Sequence, residues 1–222
     1  MTKLDTKIVF NQPGVTAASA VIWLHGLGAD YNDFVPLVAE LKLPMSVKFV
    51  FPNAALRPVT INNGLMMRAW YDIAGFSSQL NKIDRPGILA SVAIIENLIE
   101  DLLAEGFSAD KIIIAGFSQG GVISYYSALN SKYQLGGLLV LSGYLPDESL
   151  LDRSRIQQNE ALPILICHGI DDEVVPLDYA KVALPHLDRL GMAYEWKEYH
   201  MAHSVGYEQV QDIALWLQSR LN

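Results

Sequence analysis

Apolar positions along this chain fall into short, nearly unbroken runs separated by longer stretches with helical spacing. Ala20–Leu24, Val47–Phe51, Lys111–Ala115, Gly137–Leu141, Pro163–Cys167 and Tyr194–Tyr199 read as strands. Most are continuous rows of β-forming residues rather than strict alternations, the pattern of a parallel sheet covered on both faces. Between them, Ile88, Val92, Ile95, Ile99 and Leu102 recur at helical spacing, with Asp84 and Pro86 as start signals and Gly106 as a stop. Val210, Ile213, Ala214, Leu217 and Leu221 mark a last helix. Strand–helix alternation of this kind predicts a mostly parallel, doubly wound α/β sheet with helices on both faces. Ligand sites in such sheets lie beyond the carboxyl ends of the strands.

One segment breaks the alternation. From Pro52 to Asp84 no helix pattern emerges, and the stretch exceeds ordinary loop lengths. It is rich in Asn, Pro and Gly, yet carries Leu65, Met66, Met67, Trp70, Tyr71, Ile73 and Phe76. Such a segment is a lid over a site or an excursion with short strands of its own. The reading taken here is a flap beside the site, over residues 53–83, with Leu65, Met66, Met67, Trp70 and Phe76 lining or gating a groove. A satellite core under a long loop is the alternative.

The bulk numbers narrow the classes. A chain of 222 residues, 51% apolar and 18% charged, fits one domain over residues 1–222 with a substantial core. A formal charge of -8, spread without runs, disfavours nucleic-acid binding. No stretch reads as a signal peptide or membrane span, and a single cysteine, Cys167, fits a reducing compartment, so a cytoplasmic protein is expected.

Gly116-Phe117-Ser118-Gln119-Gly120 is a G-x-S-x-G motif. By composition alone, such a motif arises by accident in about one chain in thirteen of this length. Context strengthens it. Gly-Phe-Ser occurs three times, at Gly75, Gly106 and Gly116. Only the last follows an apolar strand, has glycine two places beyond the serine and leads into a helix pattern. A nucleophilic Ser118 on a sharp strand-to-helix turn is therefore preferred to an inert helix cap. Its hydroxyl needs an imidazole to take the proton and a carboxylate to orient that imidazole. Downstream strand ends supply Asp171 or Asp172, then His200 or His203. His25 and His168 read as backbone-bonded histidines, and no spacing suggests a metal site. Gln119 offers one oxyanion amide, and the Leu24–Asp30 loop a second.

These residues carry a resemblance. LHGLGAD at Leu24–Asp30, PNAALRPVT at Pro52–Thr60, WYDI at Trp70–Ile73, GFSQGG at Gly116–Gly121, HGIDDEVVP at His168–Pro176 and AHS at Ala202–Ser204 run nearly end to end. In them the chain resembles the acyl-protein thioesterase and carboxylesterase (phospholipase/carboxylesterase) family of α/β-hydrolases. The resemblance implies Asp172 as the acid, His203 as the base and the amides of Leu27 and Gln119 as the oxyanion hole. It implies hydrolysis of short- to medium-chain acyl esters, or of acyl-protein thioesters, without metal or cofactor. Lysophospholipase activity is the nearer rival; a non-catalytic hydrolase-fold binding protein is the remote one. Homodimers are common among members, and peripheral membrane contact through the flap is a related expectation. Ala29 before Asp30, and His200 where members often have glycine, depart from the pattern beside the site.

Overall fold

The computed structural model describes residues 4–75, 83–159 and 161–222. Its strands are β1 (Thr6–Phe10), β2 (Ser19–Leu24), β3 (Val47–Pro52), β4 (Leu56–Val59), β5 (Leu65–Arg68), β6 (Ile112–Phe117), β7 (Gly137–Leu141), β8 (Ile164–Gly169) and β9 (Tyr194–Tyr199). The helices are α1 (Leu37–Glu40), α2 (Arg85–Ala104), α3 (Gln119–Leu129), α4 (Arg153–Gln158), α5 (Leu177–Lys181), α6 (Ala183–Arg189) and α7 (Tyr207–Leu221). The main sheet runs β1-β3-β2-β6-β7-β8-β9. Every pairing in it is parallel except β1 with β3, where Ile8 faces Val50.

The unbroken apolar runs have a direct cause. Side chains alternate across a strand, and each face of this sheet has its own core. Ala20, Ile22 and Leu24 of β2 join Ile114, Leu138, Val140 and Ile166 beneath α2 and α3. Val21 and Trp23 join Ile113, Leu139, Leu165 and Cys167 beneath α1 and α7. A polar residue on either face would be buried, so neither face can alternate.

Helix α2 begins where its signals lie. The Asp84 side chain accepts a hydrogen bond from the Gly87 amide, Pro86 sits in the first turn, and Gly106 follows the end. Its buried stripe includes Ile88, Ile95, Ile99 and Leu102, as the spacing predicts. Sequence patterning did not reveal β1, a half-exposed edge strand paired on one side alone.

The segment after β3 has strands of its own. β4 and β5 form an antiparallel hairpin in which Leu56 faces Arg68 and Val59 faces Leu65. Asn63 and Gly64, with φ of 55° and 78°, take the turn between them. Ile73 and Ile83 bridge further on. The hairpin lies over the carboxyl end of β2, where the Gly28 amide donates to the Arg68 carbonyl at 2.9 Å.

Candidate active site

Ser118 stands between β6 and α3 with φ 54° and ψ -118°, a backbone conformation that a non-glycine residue adopts only under strain. The flanking glycines make the turn possible. A Cβ on Gly116 would lie 2.4 Å from the Gly120 carbonyl oxygen, and one on Gly120 would lie 2.5 Å from that of Leu24. The Ser118 amide donates to the Leu141 carbonyl of the adjacent strand at 2.8 Å, which holds the bend against the sheet.

Two other strand ends reach this serine. His203, beyond β9, places Nε2 2.9 Å from Ser118 Oγ and Nδ1 2.7 Å from Asp172 Oδ2. The ring packs on Phe117, with centroids 4.7 Å apart. Asp172, beyond β8, is buried, and its Oδ1 accepts the amides of Val174 and Val175 at 2.9 and 2.8 Å. Those loop bonds occupy one carboxylate oxygen with backbone and leave Oδ2 to His203, with His168 Nε2 3.5 Å away from the same oxygen. Since a carboxylate can only accept, Nδ1 carries the proton, and Nε2 is left to accept from the serine hydroxyl.

The residues left open by composition separate here. Asp171 is exposed, and its amide donates to the Met201 carbonyl at 3.2 Å; His200 is exposed as well. Neither joins the Ser118–His203–Asp172 chain of hydrogen bonds. Gln119 is the first residue of α3, where an amide has no intrahelical acceptor. Leu27 lies in the turn after β2, next to Gly26, where an added Cβ would stand 3.2 Å from the Phe117 ring and 3.4 Å from the Ser118 Cβ.

The five flap residues divide. Leu65 and Met66 are exposed on the hairpin. Met67 is partly buried and its Cε would lie 2.5 Å from a Cβ at Gly28. Trp70 is no groove wall: it is 1% exposed, and its indole Nε1–H donates to the His25 carbonyl at 2.9 Å. Phe76 lies outside the described residues.

His25 and His168 have the structural roles read for them. His25 Nε2 accepts the Ala54 amide at 3.0 Å, so Nδ1 donates to the Gly26 carbonyl at 2.7 Å. His168 Nε2 lies 2.8 Å from the Val175 carbonyl oxygen and closes the Asp172 loop from behind. Burial lowers the pKa of both rings below the ordinary imidazole value of 6.5. The unfolded chain therefore binds protons that the folded chain refuses, and stability falls as pH drops below about 6.5 toward the lowered folded values. Each ring contributes a slope of at most about 1.4 kcal/mol per pH unit. Denaturant midpoints are expected to be lower at about pH 5.5 than at about pH 7.5. Equal midpoints at the two pH values would contradict this account of the two rings.

Strand order, the strained serine turn and three strand ends meeting at one point define an α/β-hydrolase. The family model described as Phospholipase/Carboxylesterase matches residues 6–221. The chain belongs to that family, and is a hydrolase by that membership. It is 34% identical over 209 residues to acyl-protein thioesterase 1 of Yarrowia lipolytica, covering 91% of this chain and 92% of the relative. It is 33% identical over 209 residues to the carboxylesterase SOBER1 of Arabidopsis thaliana, covering 92% of each. The crystal structure of SOBER1 matches with a TM-score of 0.82 at 33% identity, over 92% of this chain and 99% of that one.

Proposed function

We propose that the protein is a serine carboxylesterase that hydrolyses short- to medium-chain acyl esters, and acyl-protein thioesters, through an acyl-enzyme. The observation that carries this is the hydrogen-bonded path from Ser118 Oγ to His203 and on to Asp172, at 2.9 and 2.7 Å. Ser118 attacks the acyl carbonyl while His203 Nε2 takes the hydroxyl proton and Asp172 holds the ring in the required tautomer. The amides of Leu27 and Gln119 receive the oxyanion. His203 then protonates the departing alkoxide or thiolate. Water, deprotonated by the same ring, releases the acid and restores Ser118.

The exposed hairpin side chains Leu56, Ile61, Leu65 and Met66 favour a substrate presented at a lipid surface. Among the described residues no helix is long and apolar enough to cross a membrane, so such contact would be peripheral, made by the hairpin.

The test compares turnover of p-nitrophenyl butyrate, lysophosphatidylcholine and an S-palmitoyl peptide, the last free and on vesicles. Fluorophosphonate labelling is followed to the modified residue. Labelling at Ser118 and turnover of the ester and thioester are expected, and Leu65→Ser with Met66→Ser should slow the vesicle-bound substrate selectively. Turnover of lysophosphatidylcholine far above both would make lysophospholipase the main activity. Absence of labelling would leave a non-catalytic binding protein.

A further inference from the structure

We propose that the side chain of Gln119 is a positioning residue that fixes the two oxyanion donors relative to one another, by locking residues 68–71 between helix α3 and the turn after β2. This rests on the serine-esterase reading above, in which the Gln119 and Leu27 amides are those donors.

A glutamine in the first turn of a helix ordinarily reaches into water, and this one is 1% exposed. Both ends of its carboxamide are used. Oε1 accepts the Trp70 amide at 2.9 Å, and Nε2 donates to the Tyr71 carbonyl at 2.8 Å. The side chain thus pairs with backbone as a neighbouring strand would, one residue from Ser118. An apolar side chain in its place would leave a buried amide and a buried carbonyl unpaired.

The segment that Gln119 grips is tied in turn to both ends of the other donor's turn. The Trp70 indole donates to the His25 carbonyl at 2.9 Å, and the Trp70 carbonyl accepts the Ser91 hydroxyl. The Arg68 carbonyl accepts the Gly28 amide at 2.9 Å. Arg68 Nη1 donates to the Ala54 carbonyl at 3.0 Å, and the Ala54 amide donates to His25 Nε2 at 3.0 Å. His25 and Gly28 flank the Gly26–Leu27 pair, so the Leu27 amide is held between two anchored points. Gly28, at φ 77°, has no Cβ to collide with Met67 Cε, which would lie 2.5 Å from one. One chain of bonds, buried at Gln119, Trp70 and His25, partly exposed at Arg68 and exposed at Gly28, therefore runs from Gln119 to either side of Leu27.

The oxyanion exists only once Ser118 has attacked. Spacing between its donors is accordingly felt in kcat and in the binding of transition-state mimics, and little in ground-state binding.

Gln119→Met keeps length and apolar bulk and removes both bonds. Loss of a whole oxyanion donor costs about 10²- to 10³-fold in kcat, so loosening one is expected to cost about 10- to 100-fold. KM for p-nitrophenyl butyrate should stay within about twofold. The Ki of a trifluoromethyl ketone, whose adduct with Ser118 carries the oxyanion, should rise by the same factor as kcat falls. The pH midpoint of kcat/KM should not move, since Ser118, His203 and Asp172 are untouched. Trp70→Phe keeps a ring and removes only the indole bond to His25. It should shift kcat and Ki in the same direction by a smaller factor, and it decides the matter if Gln119→Met does not fold. Wild-type kcat and Ki in the folded variants would overturn the proposal, as would a shifted pH midpoint, which would locate the loss in the histidine relay. Ser118→Ala is measured alongside. If that variant still hydrolyses the ester, the serine-esterase reading has failed rather than the link through Gln119.

Discussion

Ser118→Ala is expected to lower ester hydrolysis by about 10⁵- to 10⁶-fold while leaving the fold intact. The size follows from what the hydroxyl does: without Oγ there is no acyl-enzyme, and His203 and Asp172 have nothing to activate. Only whatever the oxyanion amides offer to direct attack by water remains. Stability should hardly change, because alanine bears the same strain as serine at φ 54°. Glycine is free of that strain, so Ser118→Gly should be equally inactive and no less stable than wild type, despite the greater entropy of its unfolded chain. Hydrolysis of p-nitrophenyl butyrate, read with thermal melting of the three proteins, checks both halves. Substantial turnover by either variant would remove Ser118 from the mechanism.

How far the sequence discloses this arrangement depends on whether a residue's neighbours are dictated locally. The strands of the sheet's centre are legible because both of their faces are buried, so nearly every position is apolar. Strand β1 is not, because pairing on one side alone leaves Lys7, Ile8 and Phe10 exposed and imposes no pattern. The hairpin carried a local signal, Asn63-Gly64 between two apolar stretches, the strongest short-range mark of a tight turn. The length and apolar content of the segment suit a flap equally well, so the hairpin is not singled out by pattern alone. Trp70 exposes a second limit. Its size and apolar character are plain in the sequence, but whether it faces a groove or the interior depends on Gln119 and His25, which lie far from it along the chain.

The site shows the same division. The order serine, acid, histidine at the ends of β6, β8 and β9 is readable, because a doubly wound sheet brings those ends together. Asp171 and Asp172 cannot be told apart by composition. What distinguishes them is the turn of the backbone, which buries Asp172 against the amides of Val174 and Val175 and leaves Asp171 in solvent. His200 and His203 differ likewise in direction rather than chemistry. The family resemblance pointed to Asp172 and His203, and these two lie within hydrogen-bond distance of one another, with His203 also within reach of Ser118. The carboxamide of Gln119 has no signal in the sequence, because its partners at Trp70 and Tyr71 lie far from it along the chain.

Asp172→Asn should lower kcat by about 10⁴-fold at neutral pH with little loss of stability. Asparagine has the same shape, and its Oδ1 can still accept the amides of Val174 and Val175, so the loop beyond β8 is kept. The change falls on the other arm. Where Asp172 Oδ2 accepts the Nδ1 proton of His203, the new amide presents N–H groups and can only donate. The ring answers by moving its proton to Nε2, which then points a donor at Ser118 Oγ and cannot take the hydroxyl proton. The nucleophile stays in place with its base in the wrong tautomer, so KM should change little. Asp172→Ala separates tautomer from scaffold. It too should lose activity, but it also strands the buried Val175 amide, at about 1–3 kcal/mol, and frees the partly exposed Val174 amide, so its melting temperature should fall below that of the asparagine variant. Asp171→Asn, in solvent and outside the relay, should keep activity within about twofold. Equal activities in the asparagine variants at 171 and 172 would mean that His203 needs no buried carboxylate to serve as base.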